Sequence, residues 1–108
     1  MNKNLGGIYM KLMTNEIVDK MPNLYDTEGI EAENKVAQVK FFNPFGSGTW
    51  FGIEYDPNDR LFFGYVDLGY GGEWGYFSLN ELEDIGFIER DLYFQPTKMG
   101  TILQNTEY

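Results

Sequence analysis

Thr49-Trp50-Phe51-Gly52-Ile53-Glu54-Tyr55, followed after a short turn by Leu61-Phe62-Phe63-Gly64-Tyr65-Val66-Asp67-Leu68, is the stretch that decides the fold. The first segment alternates, with Phe51, Ile53 and Tyr55 on one side and Trp50, Gly52 and Glu54 on the other, the period of a β-strand. The second is a fuller apolar run, as expected for a central strand covered on both faces. Asp56-Pro57-Asn58-Asp59 between them is turn chemistry. A link this short joins antiparallel strands, because a parallel crossover needs a dozen or more residues.

Upstream, Val36–Phe42 reads as a strand from its Val and Phe content, and residues 43–48 as a turn with one proline and two glycines. Downstream, residues 69–72 make a turn and Glu73–Phe77 the next strand. Ser78-Leu79-Asn80-Glu81 then fits a capping box. Leu79, Leu82 and Ile85 follow at helical spacing, and Gly86 suits the position just past the helix end. Leu92–Phe94 reads as a last strand stopped by Pro96. Near the start, Thr14 is a suitable N-cap for a helix over 15–21 ended by Pro22. Residues 25–34 form an acidic loop. The expectation is an α+β domain over residues 10–97, an antiparallel meander of about five strands with two short helices, at 15–21 and 78–85, covering one face. Residues 1–9 read as an extension and 98–108 as a tail.

Composition narrows the chemistry. The chain has 108 residues, with 17 acidic and 8 basic side chains and a net charge of −9. Hydrophobic residues make up 43%, too many for a disordered acidic chain. Without a single Cys or His, the chain has no disulfide, no thiol or imidazole catalysis and no Cys/His metal site. Charge is uneven: residues 41–108 hold three cations against eleven acids, a net of −8, together with 17 of the 19 aromatic residues. The N-terminal residues lack the apolar stretch of a signal peptide, and no apolar run reaches the roughly 20 residues of a membrane span, so a cytoplasmic protein is expected.

Carboxylates are the remaining acid/base candidates. Glu54, Asp67, Glu73, Glu89 and Asp91 lie in or beside strands, where a solvated sheet face is the simpler reading than a hydrolytic pair. Asp56-Pro57-Asn58-Asp59 lacks EF-hand spacing and reads as a turn, not a metal site. The glycines of 69–75 lack a phosphate-loop pattern, and no cofactor is called for. A −8 segment also opposes direct nucleic-acid binding, which draws on phosphate neutralisation. The acidic surface itself suits a basic protein partner. The candidate contact residues are Glu54, Asp56, Asp59, Glu73, Glu81, Glu83 and Asp84. The rival reading is a carbohydrate-binding or carboxylate-dependent hydrolase domain using Trp50 and Trp74. A third is a subunit that acts within an assembly, to which an exposed sheet edge or apolar patch would point. Arg90, flanked by Glu89 and Asp91, reads as one half of a structural ion pair locking the last strand, with a recognition residue as the alternative.

Several strings add a resemblance. Val39-Lys40-Phe41-Phe42, Gly48-Thr49-Trp50 and Leu61-Phe62-Phe63-Gly64 resemble segments of a family of short proteins catalogued as domain of unknown function 2958. So do Glu73-Trp74-Gly75-Tyr76-Phe77-Ser78-Leu79 with Glu81-Leu82-Glu83, and Ile88-Glu89-Arg90-Asp91-Leu92-Tyr93-Phe94 with Pro96-Thr97. The resemblance runs from Met10 to about Thr97, and the segments at 69–72 and after Asp84 are shorter than is usual in it. It brings no reaction and no catalytic residue. It implies a protein carried by plasmids, phages or integrative elements. The role expected from it is a non-enzymatic inhibitor of a host nucleic-acid-handling or defence protein, such as an anti-CRISPR or antirestriction factor with carboxylates standing in for phosphates.

Overall fold

The computed structural model describes residues 11–105. The expected extension at 1–9 and the last three residues of the expected tail lie outside them. The order is α1 (Asn15–Lys20), a 3-10 turn (Ala32–Asn34), β1 (Val36–Ala37), β2 (Val39–Phe42), β3 (Thr49–Asp56), β4 (Leu61–Asp67), β5 (Gly72–Ser78), α2 (Leu79–Ile85), β6 (Glu89–Arg90), β7 (Thr97–Lys98) and α3 (Met99–Gln104). The main sheet is antiparallel with five strands in the order β5-β4-β3-β2-β6, and β1 and β7 pair in a separate two-stranded sheet. The fold is α+β, as the hairpin spacings predict. Among the described residues no helix is long and apolar enough to cross a membrane.

Both sequence-marked helix starts are capped: Thr14 Oγ1 accepts the N–H of Ile17 at 3.2 Å, and Ser78 Oγ that of Glu81 at 3.3 Å. Gly86 ends α2 at φ 94°, the left-handed conformation that glycine adopts without steric cost. The side chains of α1 and α2 close one sheet face. There Leu79, Leu82 and Met21 meet Val39, Phe41, Trp50, Tyr55 and Phe62. Phe62 is the hub, with ring centroids 4.5 Å from Tyr55, 4.8 Å from Phe77 and 5.5 Å from Phe41. Such ring pairs add about 0.5–1.5 kcal/mol each beyond burial.

The opposite face has its own core, made by Ala37, Phe51, Ile53, Met99 and Ile102. Met99 is fully buried, so the segment expected as a tail from residue 98 supplies a third helix and two of the five residues of the second core. Three further expectations are corrected. Val36–Phe42 is two strands in two sheets, divided at Gln38, whose N–H turns to the carbonyl of Gly52 at 2.8 Å. Leu92 and Tyr93 lie exposed in a turn, and the pairing strand is Glu89–Arg90 instead. The alternation of β3 also breaks: the register with β4 shifts between Gly52 and Glu54. This bulge pairs Glu54 with Phe63 and Tyr55 with Phe62, so Tyr55 joins the face of Trp50 and Glu54 the face of Phe51.

Candidate functional site

Helix α3 covers only part of its sheet face. Beyond it, β4 and β5 present Phe63, Tyr65, Trp74 and Tyr76 on that same face, directly opposite one another as Tyr65–Trp74 and Phe63–Tyr76. The rings form a continuous strip. Tyr65 and Trp74 meet edge-on at 5.1 Å, Phe63 and Tyr76 at 5.3 Å, and Phe63 and Trp74 lie near-parallel at 6.5 Å. Trp74 is 37% exposed and Tyr76 51%, while Phe63 and Tyr65 are half-buried. The expected full burial of β4 therefore holds on one face only. Gly72 opens β5 because a Cβ there would come within 2.1 Å of the Tyr65 ring.

The strip has a fixed flank. Glu54, turned to this face by the bulge, is 4% exposed and accepts the N–H groups of Tyr25 at 2.8 Å and Thr27 at 3.0 Å, as well as the Thr27 hydroxyl. Lys35 Nζ donates to the carbonyl and hydroxyl oxygens of Thr27. The acidic loop at 25–34 is thereby pinned beside the strip. Tyr25 sits at φ 74°, a conformation that a bulky residue holds only when its surroundings fix it. The neighbouring Tyr25 phenol raises the Tyr76 phenol above its ordinary pKa, with burial and the nearby Glu54 and Glu28 charges acting in the same direction.

The structure separates the expected contact residues. Glu54 is an internal anchor for the loop, which corrects its assignment to a docking surface. Glu83 is paired with Arg60 through two bonds of 2.8 and 2.9 Å, and this pairing raises the Arg60 pKa. Asp56 accepts the N–H of Asn58 and shapes its turn. Asp59, Glu81 and Asp84 are exposed at the end of the sheet where α2 begins, whereas Glu73 lies near the other end of β5. The seven acids do not make one patch. Trp50 and Trp74 do not converge either: Trp50 is buried beneath α1 and α2, and Trp74 stands on the opposite face. Arg90 donates to the carbonyl oxygens of Lys11 and Leu12 at 2.5 and 2.7 Å, which ties the β6 strand to the segment before α1, and burial lowers its pKa.

A concavity of about 350 Å³ lies between α1 and the segment after β6, lined by Thr14, Glu16, Ile17, Arg90, Asp91 and Leu92 among others. Its inner carboxylate, Asp91, is committed to the N–H of Tyr93 at 2.9 Å and to Lys40 at 3.7 Å. Among the described residues no group of three or more Asp or Glu is placed to hold a metal ion. The aromatic strip was missed in the sequence because Phe63 and Tyr65 fall in a strand expected to be covered on both faces, and Trp74 reads as a partner of Trp50 and not of them. The signal was present: the four strip residues share one parity on neighbouring strands. What the sequence does not say is how far α3 reaches.

No curated protein and no solved structure matches the chain. Residues 12–105 match the family described as "Protein of unknown function (DUF2958)", and by that match across almost its whole length the chain belongs to this family.

Proposed function

We propose that the protein works by binding another protein, a basic one, through the aromatic strip of β4 and β5 and its acidic flank. The observation that carries this reading is the exposure of Trp74, Tyr76 and Tyr25 as neighbours on a framed sheet face. Contiguous exposed apolar surface rimmed by polar residues is characteristic of interaction sites, and aromatic residues anchor them. Charge selects the partner's sign. Residues 61–89, which include the strip, hold six acids and no Lys or Arg, and residues 21–34, which include the flank, hold four acids and none. Trp and Tyr faces also attract ammonium and guanidinium groups. In its finer form, the reading makes the partner a host nucleic-acid-handling or defence protein and the chain its inhibitor, as the family resemblance implies. The acids at the α2 end then steer the approach from a distance and are not the contact.

The test is a pull-down from host lysate at low and high salt, with the wild type and a Trp74→Ala, Tyr76→Ala variant, followed by crosslink mapping. The reading expects a basic protein that crosslinks beside the strip, is released by salt and is lost with the variant. Capture that is indifferent to the variant, or crosslinks confined to the concavity beside α1, rejects it.

A further inference from the structure

β5 is the last strand of the main sheet, with its outer side unpaired by any described strand. The hydrogen-bonding parity of that edge follows from the register. The N–H of Leu79 donates to the carbonyl of Arg60 at 2.9 Å. In the β4–β5 register Leu61 faces Ser78, so Arg60 and Leu79 form the next pair outward and are a hydrogen-bonded pair. Alternation then makes Phe62–Phe77, Gly64–Gly75 and Val66–Glu73 the bonded pairs of the ladder. Trp74 and Tyr76 occupy the other set, so their backbone N–H and C=O groups point away from β4, toward the open edge. Two neighbouring facts fit the same parity: the Tyr55 N–H, opposite Phe62, turns away from β4 to the Pro22 carbonyl, and the Gly52 carbonyl, opposite Gly64, turns away to Gln38.

Trp74 and Tyr76 therefore offer two things in one direction: backbone donors and acceptors at the edge that no described strand pairs, and exposed rings on the face beside it. Long edge strands in soluble proteins are usually blunted by lysine, proline, a bulge or a covering element. β5 runs for seven residues without Lys or Pro, and its pairing with β4 is in continuous register from end to end.

We infer that β5 is a docking edge for an extended basic segment of the partner protein, which adds to the sheet as a sixth strand. This rests on the function proposed above and specifies its contact. In an antiparallel addition, the residues opposite Trp74 and Tyr76 are two apart and place their side chains on the face of the strip. Cations at those alternate positions meet the rings, with Glu28 in the flank supplying opposite charge. Charge complementarity chooses this occupant over a second copy of the chain, since two molecules each at −9 repel.

The probe is an eight-residue peptide of alternating Arg and Thr, titrated against the full chain by tryptophan fluorescence, with amide exchange at Trp74 and Tyr76 followed in parallel. Two N-methylated versions, one at the Arg amides and one at the Thr amides, block opposite edges of the added strand. A Glu-Thr peptide is the charge control. Strand addition predicts slowed exchange at both amides, at least tenfold weaker binding of the peptide methylated at the Arg amides with that methylated at the Thr amides retained, and no binding of the Glu-Thr peptide. Equal affinities for the two methylated peptides overturn strand addition, as does failure of the Arg-Thr peptide to bind. Slow exchange at both amides in the dilute chain alone overturns it in favour of a segment of the same chain. Slow exchange only at high protein concentration overturns it in favour of a second copy. In each of these cases, crosslinks to the strip in the pull-down would leave the broader reading standing, and their absence would remove it as well.

Discussion

Glu54 accepts the backbone N–H of Tyr25, 29 positions away in the chain, at 2.8 Å from inside the protein. That bond connects the bulge in β3 to the side of the aromatic strip: it fixes the backbone of the residue whose phenol acts on that of Tyr76. Replacing Glu54 by Gln keeps the volume but removes the charge and puts an amide NH2 where an oxygen accepted N–H groups. Hydrogen bonds to charged groups are worth about 1.5–3 kcal/mol each. Urea unfolding should show a loss of about 2–3 kcal/mol, with the resonances of Tyr25 and Thr27 displaced. A loss under about 0.5 kcal/mol would contradict an anchoring role.

Met99 tests whether the third helix belongs to the folding unit. It is fully buried against Ala37, Phe51 and Ile53. Met99→Ala should cost about 2–5 kcal/mol in equilibrium unfolding, as Met→Ala truncations in packed cores do. A chain ending at Thr97 should lose more. A neutral result would make α3 the appendage that composition alone suggests.

The Arg60–Glu83 pair is bidentate but partly solvated. A double-mutant cycle with Arg60→Ala and Glu83→Ala should give a coupling of about 0.5–1 kcal/mol that shrinks at high salt. A salt-independent coupling of several kcal/mol would mean that the pair is far drier than its exposure implies.

Alkaline stability follows from Tyr55. Burial raises its phenol above the ordinary value of 10.0, and Arg60 opposes that shift only in part. The folded state then holds the phenol proton more tightly than the unfolded chain does, so stability is intact below about pH 10 and declines as the pH rises beyond it. Thermal unfolding followed from pH 9 to pH 12 should show this decline, and Tyr55→Phe should make it shallower. An unchanged slope in the variant would assign the alkaline loss elsewhere.

These predictions divide between features written locally in the sequence and features that are not. Thr14 and Ser78 cap helices through bonds three residues long, and the hairpins follow from alternation and turn residues, so helix starts and the strand sequence are legible. The bulge is not: Gly52 beside it breaks no visible alternation, and the parity flip is fixed by pairing with β4 and by donors waiting in a distant loop. Counting Glu54 as a surface acid follows from carrying the alternation straight through that point. Residues 92–104 mislead for a related reason. Leu92, Tyr93 and Phe94 look strand-like, yet the turn that Asp91 builds over them brings β7 beside β1 and drops Met99 into the second core. The site was legible only as residue types. The expectation of contact over reaction rests on an acidic, aromatic composition without His or Cys, and whether an aromatic ring is core or surface depends on which strands α3 covers.

The most direct test compares two variants for affinity toward the basic partner recovered by pull-down. One is Trp74→Ala, Tyr76→Ala. The other is Glu81→Lys, Asp84→Lys at the exposed acidic end of α2. The account predicts at least tenfold weaker binding for the first, about 1.4 kcal/mol or more, with faster dissociation. For the second it predicts slower association, a flatter salt dependence and an unchanged dissociation rate. Full affinity in the aromatic variant, with binding abolished by the charge reversals, would contradict it and move the docking face to α2.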